Sequence, residues 1–93
     1  MKITDILAAV KQNQSLTLKY VRVNGEYRFA DIDMGVDHKM LANGDICEGA
    51  AFVHVYPDGF YIDGHSTTLK MGEGKFDQEG LKQLFGLPVK DKW

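Results

Sequence analysis

The order of hydrophobic patterns predicts an α+β domain: a four- to five-stranded antiparallel sheet made of two hairpins, with an N-terminal and a C-terminal helix. Three observations carry it. Leu16–Val23 runs directly into Asn24-Gly25, the strongest short hairpin signal, because a type I′ turn needs positive φ at both central residues. The stretch Ala51–His65, AFVHVYPDGFYIDGH, wraps β-forming residues around a Pro-Asp-Gly turn. The two ends of the chain carry helical rather than alternating periodicity.

At the N-terminal end, Ile3, Ile6, Leu7 and Val10 recur on one helical face, which predicts a helix over residues 4–12. Thr4 is placed to cap it, and Asp5 suits the positive end of its dipole. The polar run Gln12–Ser15 ends it. In the first hairpin, closing the turn with Val23 opposite Glu26 pairs Arg22 with Tyr27, Tyr20 with Phe29 and Leu18 with Asp31. Leu16, Leu18, Tyr20, Tyr27 and Phe29 then form the core face. Thr17, Lys19, Val21, Val23, Glu26 and Arg28 form a mixed face, expected to be wet. A slip of one residue would put Tyr20 and Phe29 in water, so the register is well specified.

Residues 33–49 form a long connection punctuated by Gly35, Gly44 and Gly49, with a short helical turn expected around Asp37–Leu41. Loops of this length within a compact domain are uncommon and tend to be functional or mobile. In the second hairpin, a type I turn with Gly59 in a left-handed bulge sets Tyr56 opposite Phe60, His54 opposite Ile62 and Phe52 opposite Gly64. One face then carries Phe52, His54, Tyr56, Phe60 and Ile62, and the other Ala51, Val53, Val55, Tyr61 and Asp63. Neither is clearly polar, which predicts a central hairpin covered on both sides.

Ser66–Met71 has the alternation of a short fifth strand, and Gly72-Glu73-Gly74 breaks it. The last helix opens with Asp77 as N-cap and Phe76 stapled onto Leu81. It closes with Gly86 as its left-handed terminator and Pro88 beyond. Leu81, Leu84 and Phe85 form its inward face.

A chain of 93 residues is long enough to bury one core without a metal or disulfide, so residues 1–93 are read as a single domain. The net charge of −2, with Lys and Arg scattered, lacks the basic stripe that nucleic-acid binding needs. The lone Cys47 cannot form an internal disulfide and fits a reducing compartment. The first residues lack a long apolar signal region, and no run approaches the ~20 apolar residues of a membrane span. A cytoplasmic location is expected.

The candidate chemical constellations are weak. Asp31, Asp33, Gly35 and Asp37 suggest a calcium loop, but the sixth and twelfth positions hold Val36 and Ala42 instead of Gly and Glu. His38, Cys47, His54 and His65 are separated by 9, 7 and 11 positions, so no close chelating pair exists. Cys47 lies between Ile46 and Glu48, without the adjacent cation that would favour a thiolate. Asp63-Gly64-His65-Ser66 places acid, base and hydroxyl on one loop, but neighbouring residues rarely aim at one point. Gly72–Lys75 lacks the full phosphate-loop frame. No metal or cofactor is expected.

Three functions follow. The first is non-catalytic protein–protein interaction, as a homodimer or an accessory or regulatory protein, motivated by apolar character on both faces of the second hairpin. The second is small-molecule binding in a pocket near His54, Tyr56 and Tyr61. The third is a small enzyme with a histidine general base. The candidate contact residues are Phe52, His54, Tyr56, Phe60, Tyr61 and Ile62.

Overall fold

A computed structural model describes residues 1–90. The elements are α1 (Ile3–Lys11), β1 (Leu16–Val23), β2 (Glu26–Asp31), a 3-10 turn (Ile32–Met34), α2 (His38–Ala42), β3 (Gly49–Tyr56), β4 (Gly59–Asp63), β5 (His65–Ser66), β6 (Met71–Gly72) and α3 (Asp77–Phe85). The main sheet is antiparallel in the order β2-β1-β3-β4, and β5 and β6 form a second, two-stranded sheet. The architecture is the α+β arrangement expected from the sequence. Ser66–Met71 does not add a fifth strand to the main sheet; its two ends pair with each other in a miniature hairpin, Ser66 with Met71, and their outer neighbours follow, His65 with Gly72.

The first hairpin has the predicted register, with Val23 opposite Glu26, Tyr20 opposite Phe29 and Leu18 opposite Asp31. Asn24 and Gly25 both take left-handed φ, 51° and 77°, as a type I′ turn requires. Strand order accounts for the long connection after it. β3 pairs with β1 on the side away from β2, so β2 and β3 run parallel and the chain must cross over. The predicted helical turn is α2, begun by the Asp37 carboxylate accepting the Met40 N–H at 2.8 Å.

One face of the sheet holds the main core. Leu18, Tyr20, Phe29, Ala51, Val53, Val55, Phe60 and Ile62 pack there against Ile6 of α1 and Leu81 and Phe85 of α3. The other face is only partly wet. Val21 and Val23, expected in solvent, are buried with Ala50 under Leu41, Cys47, Leu69 and Met71. The crossover brings α2 over this half of the sheet, and the β5–β6 hairpin that follows β4 also packs there, which strand alternation alone does not reveal.

The second hairpin departs from the expected register by one residue. Tyr56 pairs with Gly59, Val55 with Phe60, His54 with Tyr61, Val53 with Ile62 and Phe52 with Asp63. Phe60 and Ile62 therefore join Val53 and Val55 in the core, while Phe52, His54, Tyr56 and Tyr61 share the outer face. Tertiary contact decides this. Gly59 has φ 157° instead of the helical left-handed value a bulge needs. The segment after α3 lies against it: Phe60 N–H donates to the Pro88 carbonyl at 3.0 Å, and Lys90 N–H to the Phe60 carbonyl at 2.6 Å. A side chain on Gly59 would meet the Pro88 oxygen. Burying Val53 and Val55 in place of His54 and Tyr56 also favours the observed pairing.

The helix ends differ in detail from the sequence reading. Lys2, not Thr4, is the N-cap of α1, and its N–H donates to the Asp5 carboxylate at 3.3 Å. Phe76 precedes α3, but it is 62% exposed and no staple onto Leu81 forms. Asp77 is the first helical residue, with its side chain fully buried. Leu84 lies on the exposed side of α3, so the inward face is Leu81 and Phe85. Gly86 ends the helix at φ 66°, as expected.

Candidate functional site

The six predicted contact residues divide between two layers. Phe60 and Ile62 are core residues. On the outer face, Phe52, His54, Tyr56 and Tyr61 are half-buried. Cross-strand pairing stacks His54 on Tyr61 with ring centroids 4.5 Å apart and 22° between planes, and Tyr56 on Tyr61 at 6.1 Å. The row continues onto β1, where the Thr17 hydroxyl lies 3.2 Å from His54 Nδ1. The Lys90 ammonium sits 4.9 Å above the Tyr56 ring. Further along β3, Phe52 meets the edge of His38.

His54 Nε2 is 3.7 Å from the Asp63 carboxylate, an attraction that operates only when the ring is protonated. Thr17, His54 and Asp63 thus line up as hydroxyl, imidazole and carboxylate, but on an open sheet face instead of in a cleft. A general base works best in a site that excludes water and fixes a substrate against it. His38 is buried, and its Nε2 donates to the Ala51 carbonyl at 2.7 Å. Ala51 lies one residue past the last β3–β4 pair, so the imidazole supplies a donor where β4 has ended. His65 is exposed on β5.

The remaining candidates are structural. The Ser66 hydroxyl accepts the Leu69 N–H and meets Thr68 Oγ1 within its own hairpin. Asp31 accepts the Asp33 N–H at 3.0 Å, so the acidic run after β2 serves as turn caps. Cys47 packs into the smaller cluster, where burial raises its thiol pKa more than Arg28 lowers it. Among the described residues no three His, Cys, Asp or Glu side chains are grouped to hold a metal. Among the same residues no helix is long and apolar enough to cross a membrane.

A second constellation lies beneath the opposite face. The buried Asp77 carboxylate accepts the Gly74 N–H at 2.6 Å, the Tyr20 hydroxyl at 2.7 Å and the Tyr27 hydroxyl at 3.4 Å. Arg22 Nη1 is 3.6 Å from it, and the guanidinium lies over the Tyr27 ring. Desolvation, then Asp77, raises both phenols: Tyr27 to about 12 and Tyr20 further still. The one signal in the sequence is Arg22 itself. Its pairing with Tyr27 places an arginine on the core face, where a carboxylate must meet it.

Beside this group, a cleft of about 830 Å³ opens between the start of α1, the flank of α3 and the β1–β2 hairpin. Ile3, Arg22, Tyr27, Phe29, Gly80 and Leu84 are among its lining residues. None of His54, Tyr56 and Tyr61 reaches it, so the cleft is on the other side of the sheet from the expected pocket. No family model, curated protein or solved structure matches the chain.

Proposed function

We propose that this is a non-catalytic interaction domain that forms a homodimer through the outer face of β3 and β4. The observation that carries the reading is the stacked layer of His54, Tyr61 and Tyr56, half-exposed beside the part of the sheet that α2 and the β5–β6 hairpin cover. Rigid aromatic residues give large contact area at low entropic cost, and buried aromatic pairs add about 0.5–1.5 kcal/mol beyond area. Charge favours a second copy as the occupant. Lys19, Phe52 and Asp63 form one row across β1, β3 and β4. A copy turned about a two-fold axis parallel to the strands sets each Lys19 opposite the other copy's Asp63, with His54 meeting His54 and Tyr56 meeting Tyr56. The lone Cys47 thiol agrees with a cytoplasmic setting.

Light scattering or sedimentation at micromolar concentration tests it. The expected result is a dimer mass for the native chain and a monomer mass for Tyr61→Asp, with the circular dichroism unchanged. A monomeric native chain, or a dimer that survives Tyr61→Asp, overturns the reading.

A further inference from the structure

We propose that the cleft on the opposite face takes an extended, acidic peptide segment of another protein as an added strand on β2, with a peptide carboxylate held by Arg22. This does not rest on the dimer, because the cleft and the His54 layer are on different sides of the sheet.

The sheet edge supplies the backbone half of the site. β2 is an edge strand. Because Val23 and Glu26 close a two-residue turn, the N–H and C=O groups of Tyr27, Phe29 and Asp31 point away from β1. The neighbouring strand obeys the same alternation: the Arg22 carbonyl points away from β2 and accepts the Glu48 N–H at 2.7 Å. One outward β2 group is already engaged. The Met1 nitrogen donates to the Phe29 carbonyl at 2.7 Å, from the position an added strand's N–H would take. Edges of this kind recruit extended peptides, with main-chain bonds giving affinity and side-chain pockets giving specificity.

Arg22 supplies the specificity. Among the described residues its guanidinium makes no hydrogen bond within 3.5 Å; the nearest carboxylates, Asp77 and Glu48, are at 3.6 and 3.8 Å. Its Nε is buried without a partner. A partly exposed guanidinium that lines a cleft without a hydrogen bond matches a carboxylate with two oxygens. Lys2 lines the same cleft and adds a second positive charge; Glu26 is its one lining carboxylate, with Asp77 and Glu48 beside Arg22. Ile3, Phe29 and Leu84 provide apolar wall for the peptide's flanking side chains. The cleft is open to solvent, and its volume falls in the range of small-ligand sites.

The test uses the full chain, labelled for NMR, and two octapeptide pools that differ only in Asp and Glu against Asn and Gln. The acidic pool is expected to shift the Tyr27, Phe29 and Asp31 amides, slow their hydrogen exchange, and bind at least about tenfold more tightly than the neutral pool. Arg22→Lys keeps the charge but not the fork, and is expected to remove most of that preference. Leu84→Glu, on the exposed side of α3 and outside the Asp77 group, is expected to weaken the acidic pool without unfolding the chain. Equal binding of the two pools overturns the proposal, as does no binding at about millimolar peptide, or shifts confined to other elements. Free glutarate reproducing the same shifts with no slowed edge amides also overturns it, since that outcome describes a small-anion site.

Discussion

The Tyr20 hydroxyl donates a 2.7 Å hydrogen bond to the Asp77 carboxylate, tying a central strand of the sheet to the first turn of α3. Both side chains are fully buried. The same carboxylate holds the Gly74 N–H, so it also fixes the loop that enters the helix. Removing it leaves a phenol and an amide with no acceptor in a dry place, and takes a countercharge from beside the Arg22 guanidinium. Asp77→Ala is therefore expected to destabilise the fold by about 3 kcal/mol. Tyr20→Phe keeps the ring and removes one charge-assisted bond, at about 1.5–2 kcal/mol. Urea unfolding followed by circular dichroism checks both. A loss below about 0.5 kcal/mol for Asp77→Ala would mean that the carboxylate does not anchor α3.

Alkaline titration reads the same group in another way. Tyr27 is pushed to about 12 and Tyr20 higher, in both cases by burial first and by Asp77 next. In the unfolded chain each phenol ionises near 10. A raised folded pKa means that the folded state holds its protons longer than the unfolded state does. The stabilisation is complete below pH ~10 and is lost as pH rises toward the folded values. Phenolate absorbance is expected to show Tyr27 titrating at about pH 12 and Tyr20 later still, or both together with unfolding. Asp77→Asn removes the negative charge beside them and is expected to lower both. Four phenols ionising together near 10 in a folded chain would contradict the buried cluster.

How much of this was legible in the sequence follows the range of the forces involved. The first hairpin was readable to the residue, because Asn24-Gly25 sets the turn and a slip would expose Tyr20 and Phe29. The second was not, because Pro57-Asp58-Gly59 permits both a two-residue turn and a bulge. The choice rests on the strand-like segment at Pro88–Lys90, thirty positions away in sequence. The outer-face cover over Val21 and Val23 was equally out of reach, since it depends on where the crossover and the β5–β6 hairpin land. As for the candidate site, the sequence singles out His54, Tyr56 and Tyr61, but the face they share emerges only from the observed register. Asp77 looked like a helix cap. Its partners Tyr20 and Tyr27 are 57 and 50 positions away, and only Arg22 on the core face hinted at a buried anion.

Two glycines make a controlled comparison of packing. A Cβ on Gly49 would lie 2.1 Å from Asp77 Oδ2 and 2.6 Å from the Gly74 backbone nitrogen, neither of which can step aside without breaking the bond between them. Gly49→Ala is expected to cost about 1–3 kcal/mol through overpacking. At Gly72 the nearest atom is 3.6 Å away and no positive φ is involved. Gly72→Ala is expected to be neutral or to stabilise by up to about 1 kcal/mol, through reduced freedom of the unfolded chain. Thermal melts of the two variants in parallel check the contrast, and equal losses would refute it.

Arg28 holds the crossover to the sheet. Its Nη1 donates to the Leu41 and Ala42 carbonyls at 3.2 and 2.7 Å, and its Nη2 meets Asp45 at 2.7 Å. The last carbonyls of a helix have no partner within the helix, and α2 is too short to persist alone. An arginine from the neighbouring strand supplies those donors, and the Lys19 ammonium pins the start of the segment by donating to the Val36 carbonyl. Arg28→Ala is expected to lower global stability by only about 1–2 kcal/mol, because the main core on the opposite face is untouched. Local opening should change more. The Leu41, Asn43 and Asp45 amides bond within the segment, to Asp37, Lys39 and Ala42. They should exchange at least about tenfold faster, while Tyr20 and Val53 amides in the central strands change only by the global loss. Arg28→Lys should fall between, since one ammonium cannot reach two carbonyls and a carboxylate in the same geometry. If exchange across residues 38–45 is unaffected by Arg28→Ala, then α2 is held by Leu41 and Ala42 packing alone, and the guanidinium is a surface decoration.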